Sequence, residues 1–306
     1  MIITVTPNPS LDRTELVEDF RRGEVLRAKS TRLDPGGKGV NVSRALAAAG
    51  TPTVAVLPAG GAAGERLSEM LAPEGVPVVS VPIAGSTRSN IAIVEPDGTT
   101  TKINEPGPEL SPRELTALEH RVTALAQSAE WVVFSGSLPP GAPFDFYARV
   151  IRRLGDTRIA VDTSGGALVA ACVPRTDLIK PNREELAELA GRPLNTLDEI
   201  ADFCAGLPVA TVLVSLGADG ALLVQHGKAW HATGPAVEVR STVGAGDAML
   251  AGFLHAGARG PDALRIAVAY GTAAVALEGS RMPTPQDVHP HEVRCLPFEV
   301  THGAAR

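Results

Sequence analysis

Short, continuous runs of apolar and β-branched residues recur along this chain and alternate with Ala/Leu-rich stretches of helical period. That alternation constrains the fold more than any other feature. Strands apolar on both faces have to be covered on both faces, so the pattern predicts an α/β domain: a mostly parallel central sheet with helices on each side, three layers in all. Strands are predicted at 1–6, 53–57, 77–81, 131–134, 158–162, 177–180 and 211–215. Helices are predicted at 40–49, 64–72, 113–127, 145–154, 183–190, 197–205, 246–257 and 262–277. Ala221–Gln225 and Ala236–Arg240, flanking a turn at His226-Gly227-Lys228, read as an antiparallel edge.

Residues 11–33 and 88–104 break this rhythm with alternating, charge-rich sequence and no helical period. Thr14, Leu16 and Phe20, and likewise Ile91, Ile93 and Ile103, would give strands one apolar face. Glu95-Pro96-Asp97-Gly98 supplies a hairpin turn between two of them. These segments predict a small β-sheet projecting from a single domain of 1–306; surface hairpins without function are the alternative. The net charge of −6, with no block of Lys or Arg, excludes a nucleic-acid footprint. No apolar run reaches 18 residues and Met1–Thr6 reads as a first strand, so neither a membrane span nor a leader is expected. Cys172, Cys204 and Cys295 are odd in number and widely spaced. They make neither a disulfide framework nor a zinc site, and a reducing cytoplasm is expected.

The strongest chemical signal is Ser241-Thr242-Val243-Gly244-Ala245-Gly246-Asp247 at the start of a predicted helix. Glycines there let backbone N–H groups reach an anion, and the helix N-terminus adds partial positive charge. Asp247 is either a helix-start residue or the carboxylate that accepts a hydroxyl proton in phosphoryl transfer. Pro35-Gly36-Gly37-Lys38-Gly39-Val40-Asn41 is also Gly-rich and also opens a helix. It is not a Walker A loop, since Gly39 follows Lys38, and Met249 spoils a dinucleotide fingerprint after Gly244. Lys38 and Asn41 remain donors for a polar ligand. Lys180-Pro181-Asn182-Arg183-Glu184-Glu185 ends a predicted strand, where open α/β sheets bind ligands. Asn182 and Glu185 suit a helix capping box, and Glu185 equally suits holding water around a metal. Ser215-Leu216-Gly217-Ala218-Asp219-Gly220 is either an ordinary turn or one passing close to a nucleotide.

Together with Thr6-Pro7-Asn8-Pro9-Ser10-Leu11-Asp12 and Ser135-Gly136-Ser137-Leu138-Pro139-Pro140-Gly141, these motifs resemble the PfkB family of ribokinase-like sugar kinases over about residues 1–282. Within the family the chain is most similar to the phosphosugar branch of 1-phosphofructokinases, tagatose-6-phosphate kinases and the minor 6-phosphofructokinase, and Gly23-Glu24-Val25 and Gly37-Lys38-Gly39 lean towards the first two. The resemblance implies ATP-dependent phosphorylation of fructose 1-phosphate, with fructose 6-phosphate or tagatose 6-phosphate as alternatives. A free-sugar or nucleoside kinase and a non-catalytic sugar-phosphate sensor are the rival readings. It also implies Asp247 as base, with Gly244, Ala245 and Gly246 as the anion hole. Asp12, Gly37, Lys38, Asn41, Asn90 and Ser137 would line the sugar pocket, with Arg88 on the existing phosphate and Lys38 helping to hold it. Lys180, Asn182, Ser215, Gly217 and Gly220 would contact ATP, Gly271 and Thr272 would border the adenine, and Glu185 would place Mg²⁺ through water. A monovalent cation, K⁺, would sit near Ser241, Val243, Ala274 and Gly279. The projecting sheet would be a lid and the interface of a homodimer.

Overall fold

The computed structural model describes residues 1–299. Its strands are β1 (Ile2–Val5), β2 (Ser10–Leu16), β3 (Ser30–Gly36), β4 (Thr53–Ala59), β5 (Val78–Pro82), β6 (Arg88–Val94), β7 (Thr100–Asn104), β8 (Trp131–Ser135), β9 (Arg158–Asp162), β10 (Leu178–Ile179), β11 (Thr211–Ser215), β12 (Ala221–Gln225), β13 (Lys228–Thr233) and β14 (Arg294–Phe298). Its helices are α1 (Lys38–Ala48), α2 (Gly61–Leu71), α3 (Pro112–Ala126), α4 (Phe146–Ile151), α5 (Gly165–Ala171), α6 (Arg183–Ala190), α7 (Leu197–Ala205), α8 (Ala245–His255) and α9 (Gly260–Val275).

A ten-stranded sheet runs β14-β13-β12-β11-β10-β9-β8-β1-β4-β5. From β5 to β11 every pairing is parallel; β11 through β14 pair antiparallel. Successive strand residues face opposite sides, and the core divides accordingly. Ile2, Trp131, Val133, Ala160, Leu178 and Leu213 pack under α1, α8 and α9. Ile3, Val132, Phe134, Ile159, Val161 and Val212 pack under α3 to α7. Each such Val, Leu or Ile contributes about 1.5–3 kcal/mol on burial, so this two-sided core fixes the strand ends that carry the site.

The two excursions form a separate four-stranded sheet in the order β3-β2-β6-β7. β2 pairs antiparallel with β3 and parallel with β6, and Ile91 lies opposite Ile103 across β6 and β7. Gly98 N–H donates to the Glu95 carbonyl at 2.9 Å, closing the hairpin turn. β2 stops at Leu16, so Phe20 lies beyond the strand it was expected to continue.

One predicted strand is misplaced. The strand after the turn is Lys228–Thr233, with β14 outside it at the edge, and 236–240 has no regular structure. His226 and Gly227 both take positive φ, 50° and 74°, giving a two-residue hairpin that pairs Lys228 with Gln225 at once. Gly234-Pro235 then ends the ladder. The sequence pattern also leaves out α5 and β14 and extends α4 past Ile151.

Candidate active site

The carboxyl ends of β1, β8, β9, β10 and β11 meet the N-termini of α1 and α8 along one edge of the main sheet. α8 is preceded by its N-cap Gly244, whose φ of 78° is left-handed and strained for other residues. A Cβ there would also come within 2.6 Å of Met282 Cε, so the segment around Met282 lies against this turn. The N–H groups of a first helical turn have no partner inside the helix. At Gly246 a Cβ would stand 3.3 Å from Lys180 Nζ, which puts an ammonium beside those N–H groups. The two form a concentrated positive site for an anion.

Asp247, in the same turn, is 6% exposed. Asn41 Nδ2, from α1, donates to its Oδ2 at 2.9 Å. Burial and the neighbouring Asp162 carboxylate push Asp247 up from 3.8 to about 6, against the pull of Lys38, Asn41 and Lys180. A carboxylate with that value is matched to accepting a proton near neutral pH.

Asp162 ends β9 and is fully buried. Its Oδ1 accepts from Lys38 Nζ at 2.9 Å and its Oδ2 lies 3.1 Å from Lys180 Nζ. Burial alone would raise the Asp162 carboxyl; the two ammonium groups overcome it and hold the value below the ordinary carboxylate range. Lys38 also reaches Glu185 Oε1 at 3.3 Å. Burial would lower Lys38, but Asp162 and Glu185 raise it, so it is a fixed cation. Asp162 went unnoticed in the sequence. Its signal is a carboxylate closing the apolar run Ile159-Ala160-Val161.

Asn182 and Glu185 form the capping box: Asn182 Oδ1 accepts from Glu185 N–H at 2.8 Å, and Glu185 Oε2 accepts from Asn182 N–H at 2.9 Å. Asn182 also bridges to Ser215 at the end of β11. Gly217 and Gly220 shape the turn that follows, with φ of 62° and 83°. On α9, Gly271 packs toward Ala245 O and Met249 of α8, while a side chain at Gly234 would collide with Thr272. Ser241 N–H donates to Val275 O at 3.2 Å and Val243 N–H to Ser241 Oγ at 3.2 Å, which brings this loop to the end of α9, where Ala274 lies. Gly279 is covered by the Arg32 guanidinium from β3.

A second cluster lies where the small sheet joins the domain. Asp12 Oδ1 accepts from Ser10 Oγ at 2.7 Å and Asn90 Nδ2 at 2.8 Å, and a Cβ at Gly36 would run into the Asp12 carboxylate. Gly37 has φ of 109° and abuts Thr6. Arg88 donates to Glu105 O at 2.9 Å and Asn8 O at 3.1 Å, and its buried Nε has no partner among the described residues. Ser137 Oγ lies 3.5 Å from Asn8 Nδ2. Lys38 is bonded within the Asp162 cluster, to Asp162 and Glu185.

The donor set fits a phosphate ester's magnesium complex. Among the described residues no group of three or more His, Cys, Asp or Glu could hold a metal alone. A single carboxylate such as Glu185, beside a site for phosphate oxygens, is how Mg²⁺ is ordinarily held. The 670 Å³ cleft lined by Thr123, Gln127, Glu130, Arg153 and Arg158 lies at the opposite strand ends, with Arg153 and Arg158 already paired to Glu119 and Glu130.

A positive helix start beside a buried carboxylate, at the carboxyl ends of parallel strands, is the arrangement of a phosphotransferase with an alcohol acceptor. The chain belongs to the pfkB family of carbohydrate kinases, whose family model matches residues 8–287. It is 38% identical over 295 residues to a 1-phosphofructokinase of Rhodobacter capsulatus, covering 93% of each chain. It is 36% identical over 299 residues to a 1-phosphofructokinase of Haloferax volcanii, covering 95% of this chain and 96% of that one. The crystal structure of phosphofructokinase-2 from Escherichia coli in complex with potassium superposes with a TM-score of 0.87 at 36% identity, covering 94% of this chain and 96% of that one. Among the described residues no helix is long and apolar enough to cross a membrane.

Proposed function

We propose that this chain transfers the terminal phosphoryl group of ATP to the free C6 hydroxyl of fructose 1-phosphate. The observation that carries this reading is the placement of Asp247, buried and raised to about 6, in the helix turn that also presents its N–H groups beside Lys180. Asn41 occupies Asp247 Oδ2, which leaves Oδ1 to take the proton of the acceptor hydroxyl. Gly244, Ala245 and Gly246 N–H groups and Lys180 hold the oxygens of the migrating phosphoryl group. Asp12 and Asn90 orient sugar hydroxyls, and Arg88 takes the phosphate already on the substrate. Mg²⁺ supplies charge neutralisation on the nucleotide phosphates when bound, with Glu185 positioned to hold its water.

The 38% identity to a 1-phosphofructokinase supports fructose 1-phosphate, and the 36% identity to phosphofructokinase-2 fits fructose 6-phosphate as the alternative. We infer K⁺ beside Ser241, Val243, Ala274 and Gly279 from the potassium complex of the superposed structure. The four-stranded sheet serves as a lid. Val25, 85% exposed beyond β2, and Ile103, 53% exposed on β7, support its use as a homodimer interface. The three free cysteines support a cytoplasmic setting. An ADP-release assay across fructose 1-phosphate, fructose 6-phosphate, tagatose 6-phosphate and free fructose tests the substrate. The highest kcat/KM is expected with fructose 1-phosphate; equal rates on free fructose would overturn the phosphosugar reading.

A further inference from the structure

An asparagine amide has two ends of opposite polarity, and the end that meets a carboxylate decides what that carboxylate experiences. Asn41 presents its nitrogen to Asp247. Its oxygen faces the guanidinium of Arg44, three residues further along α1, with Nη1 3.5 Å from Asn41 Oδ1. Arg44 is 6% exposed and is held from several sides. Nε and Nη2 grip Glu74 at 2.6 and 3.0 Å, while Nη1 donates to Ser280 O at 2.9 Å and Pro35 O at 3.4 Å.

A guanidinium carries donors only, so the amide oxygen is the end of Asn41 that can turn towards it. The reversed amide would set a nitrogen against Arg44 and a carbonyl oxygen against Asp247. Both contacts are repulsive, and the second is relieved only by protonating the base. Through Ser280 O and Pro35 O the same guanidinium ties the end of a strand to a loop. One precedes α1, and the other continues to Met282 against Gly244.

We propose that Arg44 is a positioning residue for phosphoryl transfer: it fixes the amide of Asn41 so that nitrogen, not oxygen, meets Asp247, and thereby keeps the base ionised and aimed. The role rests on Asp247 being the base. The charged groups facing Asp247 are Lys38 from α1, Asp162 at the end of β9 and Lys180 after β10; Arg44 itself faces Glu74 from the turn after α2. None of the three around Asp247 is altered in an Arg44 variant, so a change at the base reports the link through Asn41.

The test is the acid limb of kcat/KM in the wild type, Arg44→Met, Glu74→Gln, Asn41→Ala and the Arg44→Met/Asn41→Ala double variant. Substrate phosphates titrate in the same range in every variant, so the difference between proteins reads the enzyme. Arg44→Met is expected to move the limb up by about 0.5–1 pH unit, an added loss of roughly 3- to 10-fold on its acid side. In the Asn41→Ala background it is expected to move the limb no further. Glu74→Gln, at a partly exposed site, should shift the limb in the same direction by less, and decides the matter if Arg44→Met does not fold. An unmoved limb in every Arg44 or Glu74 variant that folds, or an equal shift with and without Asn41, would overturn the proposal. Asp247→Asn is measured alongside. If it keeps wild-type turnover, the base assignment itself fails; if it is inactive while the limb stays put, only the role of Arg44 fails.

Discussion

Lys38 Nζ sits 2.9 Å from Asp162 Oδ1, and that one buried carboxylate also has Lys180 3.1 Å from its other oxygen. Two cations delivered by different segments, the Gly37 loop and the strand end after β10, therefore share one counter-charge. Removing one member of a buried ion pair typically costs about 3–5 kcal/mol, because the remaining charge is left uncompensated. Asp162→Asn is expected to lower the thermal midpoint by roughly 5–8 °C. It should also move the acid limb of kcat/KM to lower pH in whatever protein folds, since Asp162 helps to raise Asp247. A limb that stays in place would mean the two carboxylates do not interact.

Asp247 should cost the fold stability. Its folded value of about 6 exceeds the ordinary 3.8, so the folded chain binds a proton more tightly than the unfolded one. Stability is then lost as pH rises from about 4 through 6, by about 3 kcal/mol at roughly 1.4 kcal/mol per pH unit. Asp247→Asn, which cannot ionise, is expected to raise the thermal midpoint at pH 7–8 and to lose that advantage towards pH 4. Denaturation curves at both pH values check the sign.

Arg88 is expected to set the demand for a phosphorylated acceptor. Truncating one side of a buried charge contact costs on the order of 2–5 kcal/mol, so Arg88→Ala should cut kcat/KM for the phosphosugar by roughly 30- to 4,000-fold. Activity on free fructose should barely change, and Arg88→Lys should recover only part of the loss, since the fork geometry is gone. Equal losses on both substrates would reduce Arg88 to a support of the Asn8 and Glu105 backbone that it already bonds.

The four-stranded sheet should close over the sugar, because excluding water prevents wasteful hydrolysis of ATP. Hydrogen exchange in Ser10–Leu16, Ser30–Gly36, Arg88–Val94 and Thr100–Asn104 is expected to slow when the phosphosugar saturates the protein. Unchanged exchange at demonstrated saturation would leave the sheet a static wall.

The buried strands were legible because their apolar runs have no other use, and α6 and α7 match their predicted spans. What escaped prediction has local physical reasons. α5 opens with Gly165-Gly166, which oppose helix formation until packing of Leu168 and Ala171 offsets them. β14 contains Pro297, tolerated because the strand lies at the sheet edge. Within the site, the motifs located both glycine-rich helix starts, but not the buried Asp162 that Lys38 bonds together with Glu185. Spacing along the chain shows that a lysine follows glycines; which carboxylate it meets is set by where β9 ends.

The most direct test of the base is turnover by Asp247→Asn on fructose 1-phosphate with saturating ATP and Mg²⁺, with substrate binding measured separately by calorimetry. A fall in kcat of roughly 10²–10⁴-fold or more with nearly unchanged binding is expected for a group that acts only as the proton leaves. A variant that folds, binds and turns over at close to the wild-type rate would contradict it and leave Asp247 a helix-start residue.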